Sequence, residues 1–271
     1  MAAVDHYAGE SIVVIVSDDV SKFDIEEALA GFGGLGRAIV TSANSSAVPQ
    51  IRLQMLKSAA NVGDLVVCFD MDDVPSSQSL MLHSETLRDA DFSYGDMWLI
   101  DDKSSVPTTT FFDGLAVPEL IQSPEALCNR NFVGLTNSAL RSERLRCWDE
   151  GVPDVEAVDW WLYTRLLQCG CVGKRTRAPV VSYRIHDNSA VGGGPRNLDQ
   201  LARHCRIIRR HFAALGQEQS SDAAMIASLA ETIDSEPCRV DAAMAATPSR
   251  GVWYERVFGI ARNLSMQGSS A

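Results

Sequence analysis

The sequence lacks several features that would place it in a specialised class of protein. Its seven cysteines include no Cys-x-x-Cys pair, and their odd number argues against both a zinc framework and a disulfide scaffold. No stretch approaches the ~18 consecutive apolar residues of a transmembrane helix, and the acidic start of the chain lacks a signal-peptide pattern. We therefore expect a protein of the reducing cytoplasm that does not span a membrane.

Positive charge is also scarce. The chain has 24 Lys and Arg against 35 Asp and Glu, which gives a formal net charge of −11. A broad nucleic-acid surface needs an excess of Lys and Arg, so nucleic acid is not an expected partner. An anionic ligand would need a metal ion or a local cationic pocket.

What the sequence does have is the composition of an ordinary folded protein. Its 271 residues are 46% hydrophobic and 22% charged, and this length suits one large α/β domain with a helical appendage. The first hundred residues alternate between apolar runs and helical patterns. The predicted strands are 11–16, 37–41, 64–69 and 91–100, and the predicted helices are 22–30, 49–60 and 77–88. This alternation predicts a mainly parallel, doubly wound sheet.

The second half of the chain is less regular. It predicts helices at 136–144 and 155–169 and a strand at 178–184. Beyond a glycine-rich loop, apolar residues recur at helical spacing in two stripes. These are Leu198, Leu201, Cys205, Ile208, Phe212 and Leu215 in the first, and Trp253, Val257, Ile260 and Leu264 in the second. We predict a catalytic domain over 1–192 and a helical region over 193–271.

Three aspartates follow the third predicted strand. Asp70, Asp72 and Asp73 would repel one another unless a cation or protons neutralise them. Mg²⁺ and Mn²⁺ prefer oxygen ligands and bridge carboxylates to substrate phosphates, so the cluster predicts a divalent metal and a nucleoside diphosphate. A solvated acidic turn is the plainer alternative. A second alternative is a haloacid-dehalogenase-type phosphatase, in which Asp70 would attack phosphorus and Asp72 would act as acid and base.

Six short segments between residues 11 and 192 occur in a recognisable order. They are residues 11–17; Arg52; Phe69-Asp-Met-Asp-Asp-Val-Pro75; Tyr94-Gly-Asp96; Trp148-Asp-Glu150 followed by Asp159-Trp-Trp161 and Arg165-Leu-Leu; and Tyr183-Arg-Ile-His-Asp-Asn-Ser189. In this order they resemble family 2 of the GT-A glycosyltransferases. The resemblance implies a GT-A-type, Rossmann-like fold and transfer of a sugar from a nucleoside-diphosphate sugar with inversion.

The same resemblance implies a role for individual residues. Mn²⁺ or Mg²⁺ would be held by Asp72, with His186 and Asp70, and Asp159 would remove the proton from an acceptor hydroxyl, with Glu156 and Asp154 as the next candidates. Donor-binding residues would be Ser17, Asp18, Ser42, Arg52, Asp70, Asp72 and Asp73. The acceptor would be a glycan, a lipid-linked molecule or a small molecule.

Two departures from the family pattern keep a non-enzymatic alternative open. The second strand ends in Thr41-Ser-Ala-Asn-Ser-Ser46, where the family places an aspartate pair, and the first strand ends in Ser17-Asp18-Asp19. A GT-A domain that binds a nucleotide or a glycan without turnover is therefore a further hypothesis. The helical tail leaves three roles open as well, namely packing on the catalytic domain, homodimerisation, and peripheral contact with anionic lipid at the inner face of the membrane.

Overall fold

The chain forms an α/β structure with mixed sheets. The computed structural model describes residues 12–17, 37–70, 73–101, 107, 109–146, 153–185, 194–249 and 251–268. The strands are β1 Ile12–Ser17, β2 Arg37–Ser42, β3 Leu65–Val67, β4 Val74–Pro75, β5 Phe92–Tyr94, β6 Met97–Asp101, β7 Thr109–Thr110, β8 Leu120–Ile121, β9 Ser138–Arg141, β10 Gly173–Arg175 and β11 Val181–Ile185. The helices are α1 Val48–Ala60, α2 Ser79–Thr86, α3 Ser142–Arg146, α4 Val158–Gln168, α5 Leu198–Ala214, α6 Ser221–Ser235, α7 Pro237–Ala246 and α8 Glu255–Gly268, with a 3₁₀ helix at Pro124–Leu127.

The strands form three hydrogen-bonded groups within the described ranges. β1 and β2 pair with each other, a five-stranded sheet has the order β3-β9-β5-β10-β8, and a four-stranded sheet has the order β4-β11-β6-β7. Three strand pairs are parallel, β1 with β2, β5 with β10, and β6 with β11. The other five are antiparallel. The predicted α/β class is confirmed, while the sheets are mixed rather than mainly parallel, because short return strands pair between the longer ones.

One predicted helix is wrong. Residues 138–141 of the predicted helix 136–144 form β9, which lies between β3 and β5, and only Ser142–Arg146 is helical. Ala139 and Leu140 are both buried. Central position in a sheet, with both backbone edges hydrogen-bonded, has overridden the helical propensity of the segment.

A turn divides the predicted strand 91–100 into β5 and β6. Gly95 has no room for a side chain, since a Cβ atom there would lie 2.6 Å from the side chain of Val180. The next residue fixes the turn, because Oδ1 of Asp96 accepts hydrogen bonds from the backbone N–H groups of Met97 (2.8 Å) and Phe112 (2.9 Å). β5 and β6 consequently belong to different sheets.

The remaining predicted helices and strands have different outcomes. Six predicted elements are present, and most of their ends lie within one to three residues of the predicted ends. They are α1, α2, α4, α5, β3 and β11. The predicted helix 22–30 lies outside the described residues. Among the described helices, none combines the length and the apolar composition that a membrane-spanning segment needs.

The hydrophobic core runs without interruption from the sheets into the tail helices. Leu56 of α1, Trp160 of α4, Phe212 of α5 and Phe258 of α8 are all fully buried members of it. The two apolar stripes of the tail therefore face the core. The boundary near residue 192 stays a prediction.

Candidate active site

The site begins with an ion pair between α1 and the loop after β3. Leu53, Leu56 and Ala60 bury one face of α1, which leaves Arg52 on the flank next to that loop. Its Nη2 atom lies 3.0 Å from each carboxylate oxygen of Asp70. The pair is accessible to a ligand, since 32% of the Arg52 side chain and 42% of the Asp70 side chain are exposed.

Asp159 approaches the same guanidinium from the first turn of α4. Burial lowers the pKa of Arg52, but the carboxylates of Asp70 and Asp159 outweigh that effect and leave this pKa raised. Among the described residues, Arg52 therefore interacts electrostatically with two carboxylates that are distant from each other in the sequence.

The surroundings of the Asp159 carboxylate shift its pKa upward. Burial raises its pKa, and the charge of Arg52 together with a hydrogen bond from the Trp160 backbone N–H (2.8 Å) partly opposes the rise. The side-chain amide of Asn131 also donates to its Oδ2 atom, at 3.3 Å. A partly buried carboxylate with a raised pKa can accept a proton from a hydroxyl group.

The two alternative bases lie in a different environment. Arg210 of α5 pairs with Glu156 at 3.3 Å and with Asp154 at 3.7 Å. The geometry therefore favours Asp159 over both.

Asp73, predicted to bind the donor, is held by the protein itself. It is 8% exposed. Its Oδ2 atom accepts from the Thr136 hydroxyl at 2.5 Å, and its Oδ1 atom accepts from the Arg184 backbone N–H at 3.1 Å. These contacts tie the loop after β3 to β11 and to the loop before β9, which is a structural role.

The predicted donor residues on the first two strands lie side by side. The Cα atoms of Ser17 and Ser42 are register partners at the carboxyl ends of the parallel strands β1 and β2. Gln54 of α1 fixes the following loop, donating to the Ser42 carbonyl (2.9 Å) and accepting from the Asn44 N–H (2.8 Å). Asp18 lies outside the described residues.

The predicted metal ligands are only partly within the described chain. Asp72 and His186 lie outside it, and Asp70 lies inside. No group of three or more potential ligand side chains occurs among the described residues. Asp70 fits a place in such a site, because 42% of its side chain is exposed and its carboxylate oxygens are accessible to a ligand.

The sequence pattern missed Asn131 and Tyr254. Asn131 is 1% exposed and contacts Asp159, while the ring of Tyr254 stacks on Trp160 with 4.9 Å between centroids. His211 of α5 stacks on the other side of Trp160 at 3.8 Å. Neither missed residue belongs to a spaced motif, so only tertiary structure could find them.

Comparisons with known proteins found similarity in structure alone. No family model and no curated protein matches the sequence. The crystal structure of S. aureus TarS 1-349 in complex with UDP-GlcNAc is 14% identical to the chain, with a TM-score of 0.47, and the match covers 96% of this chain and 82% of that one. For the complex of TarS 1-349 with UDP the values are 13%, 0.48, 97% and 83%. At these scores the likeness supports no conclusion about the chemistry of this chain.

Proposed function

We propose that the chain is a GT-A-type glycosyltransferase that moves a sugar from a nucleoside-diphosphate sugar to an acceptor hydroxyl with inversion. The observation that supports it best is the accessible ion pair of Arg52 with Asp70, together with the electrostatic interaction of Asp159 with the same guanidinium. The three residues belong to three separate segments that resemble the family. Their proximity is a property of the fold and does not follow from the order of those segments.

Each residue of the cluster has a part in the proposed reaction. Asp159 takes the proton of the acceptor hydroxyl, whose oxygen forms a bond to the anomeric carbon of the sugar. The bond from that carbon to the diphosphate breaks, and its electron pair leaves with the diphosphate. Arg52 holds negative charge at this place, and its own charge partly opposes the rise that burial causes in the pKa of Asp159.

A divalent cation would complete the donor site. Asp72, His186 and Asp70 would hold it, and when bound it would neutralise charge on the departing diphosphate. The donor residues Ser17, Asp18 and Ser42 belong to the same proposal, and so does the choice of Mn²⁺ or Mg²⁺. Asp73 is assigned to support of the loop instead.

The phosphatase alternative has less support. It would use Asp70 as a nucleophile. It gives no role to Asp159, whose charge interacts with the same guanidinium. A domain that binds nucleotide without turnover stays the second candidate, since it would have the same donor cluster.

A thermal-shift panel tests the proposal. UDP, GDP, CDP and dTDP are each added with and without Mn²⁺, because a ligand that binds the folded state raises the melting temperature by mass action. We expect one diphosphate to stabilise the protein and Mn²⁺ to enlarge the effect. Hydrolysis of simple phosphomonoesters without any nucleotide effect would contradict the proposal and favour the phosphatase. Stabilisation without release of nucleotide from any nucleotide sugar would favour the binding domain.

A further inference from the structure

The side chain of Asn131 has only one orientation that satisfies its neighbours. Its Oδ1 atom accepts a hydrogen bond from the backbone N–H of Val133 at 3.1 Å, so the Nδ2 atom must face Oδ2 of Asp159. A backbone N–H can only donate and an ionised carboxylate can only accept, so exchanging the two amide atoms would leave both contacts repulsive.

The backbone of Asn131 is fixed from the tail of the chain. Its N–H donates to the carbonyl of Trp253 at 2.8 Å, and the two residues form an isolated antiparallel bridge. The Trp253 ring packs on Phe111 with 4.9 Å between centroids. It also fills the space above Gly134, where a Cβ atom would come within 2.6 Å of it.

The same tail segment also packs against the first turn of α4. Tyr254 stacks on Trp160, the neighbour of Asp159, and adopts a left-handed backbone with φ of 67°. Such a conformation costs energy in a residue other than glycine and persists only when the surroundings enforce it. Glu255 supports the turn by accepting a hydrogen bond from the Val252 N–H at 3.1 Å.

From these contacts we propose that Asn131 is a positioning residue for Asp159 and that the segment 252–255, which precedes α8, holds it in place. The Asn131 amide donates a hydrogen bond to Oδ2 of Asp159, and the Trp160 N–H donates one to Oδ1. Because each oxygen has its own donor, the two hydrogen bonds fix the plane of the carboxylate. This inference rests on the proposed function, because it assigns Asp159 the role of base. It gives the helical tail a part in the site.

The test replaces the amide donor and reads the ionisation of Asp159. Other ionisable groups near this carboxylate are Arg52, Asp70, Tyr163 and Tyr254. The substitutions described below leave these four residues unchanged. Asn131→Asp keeps the acceptor for Val133 and places a second carboxyl group against Asp159. We expect the acidic limb of the kcat profile to move to higher pH by about one unit or more, since two adjacent carboxylates resist double ionisation.

Asn263→Asp is the matched control. It makes the same change of charge at an amide of α8 whose Nδ2 donates to the Thr247 hydroxyl at 2.8 Å, away from Asp159. The control should leave the acidic limb where it is in the unaltered protein. An equal shift in both variants, or no shift in Asn131→Asp, would overturn the inference.

A second readout separates this inference from the proposed function. The carboxyl ¹³C titration of Asp159 in the protein without ligands, assigned by its absence in Asp159→Asn, should show a raised midpoint in Asn131→Asp whether or not the chain transfers sugar. If Asn131→Asp does not fold, Asn131→Ala replaces it, with a smaller upward shift expected from loss of the donor alone. An unchanged midpoint of the Asp159 titration would refute the contact between Asn131 and Asp159. If the midpoint shifts but the unaltered protein transfers no sugar, only the transferase proposal is refuted.

Discussion

At the scale of single residues, the aspartates of this chain differ because their surroundings differ. Asp73 is buried and accepts hydrogen bonds on both oxygens. Asp70 is half-exposed and pairs with Arg52, and Asp159 lies where burial raises its pKa. The three side chains are chemically identical, so it is the partners that separate a structural carboxylate from the proposed metal ligand and the proposed base.

Asp72 and Asp73 should therefore respond differently to mutation. Asp72→Asn removes a charged oxygen ligand at constant size, so we expect loss of turnover and of the Mn²⁺-dependent part of nucleotide-diphosphate binding. Asp73→Ala is the control, and its main effect should be a loss of about 1–3 kcal/mol of stability from the two orphaned donors. Calorimetry with and without Mn²⁺, together with denaturant unfolding, measures both. Full activity of Asp72→Asn in the presence of a chelator would contradict the metal site.

The sequence predicts part of this site for a physical reason. Asp70 follows an apolar strand in an acidic cluster, so local pattern marks it, whereas Asp159 is identified by the resemblance of Asp159-Trp-Trp161 to a segment of the family. Asn131 has no such pattern, because its role depends on the backbone of Trp253, more than a hundred residues later in the chain. Asp73 looks equivalent to Asp72 in the sequence, and only the contacts with Thr136 and Arg184 set it apart.

At the scale of secondary structure, α4 is held between the tail and the sheets. Trp160 lies between the rings of His211 and Tyr254, and its Nε1 atom donates to the Leu127 carbonyl at 2.7 Å. The position of Asp159 thus depends on α5 and on the turn before α8. Residues outside the predicted catalytic domain therefore pack on the helix that carries Asp159.

Helices with long periodic patterns were predictable, and short strands were not. α1 and α5 bury one face at regular spacing, which the sequence displays. β9 has four residues and both faces buried, so it presents no alternation, and its pairing with β3 and β5 decides its conformation. The mixed direction of the sheets follows from such short strands and could not be inferred from the sequence.

Trp160→Phe tests the packing of α4. The variant keeps an aromatic ring but leaves the buried Leu127 carbonyl without its donor, so the free energy of unfolding should fall by about 1–3 kcal/mol. Trp98→Phe is the matched control, because Trp98 of β6 is 40% exposed and should change stability by no more than about 0.5 kcal/mol. Denaturant unfolding measures both variants, and equal losses would show that Trp160 has no special role.

At the scale of the whole molecule, two buried histidines link stability to pH. Burial lowers the pKa of His83 and of His211 to about 3, far below the unfolded value of ~6.5. His83 is fully buried, and its Nδ1 atom lies 2.8 Å from the Ser93 hydroxyl. Both histidines are therefore neutral in the folded protein at pH values where the unfolded chain is protonated.

The free energy of unfolding should fall as the pH decreases from ~6.5 toward 3, because the unfolded state binds more protons across that window. Each histidine contributes a slope of up to about 1.4 kcal/mol per pH unit. Asp159 acts in the opposite direction, since its raised pKa makes the folded state hold that proton more tightly. The slope is therefore compared between the unaltered protein and the variants His83→Gln and His211→Gln, by denaturant unfolding at pH 7, 6 and 5. An unchanged slope in both variants would contradict the prediction.

The proposed transferase depends most directly on Asp159, so the decisive measurement is kcat of Asp159→Asn beside the calorimetric Kd of the donor nucleotide for the same preparation. Loss of a general base should lower kcat by roughly 10²–10⁴-fold and leave donor affinity nearly intact. Unaltered kcat would contradict the account. A collapse of donor binding in step with the rate would contradict it equally, because Asp159 would then belong to the donor site or to the fold.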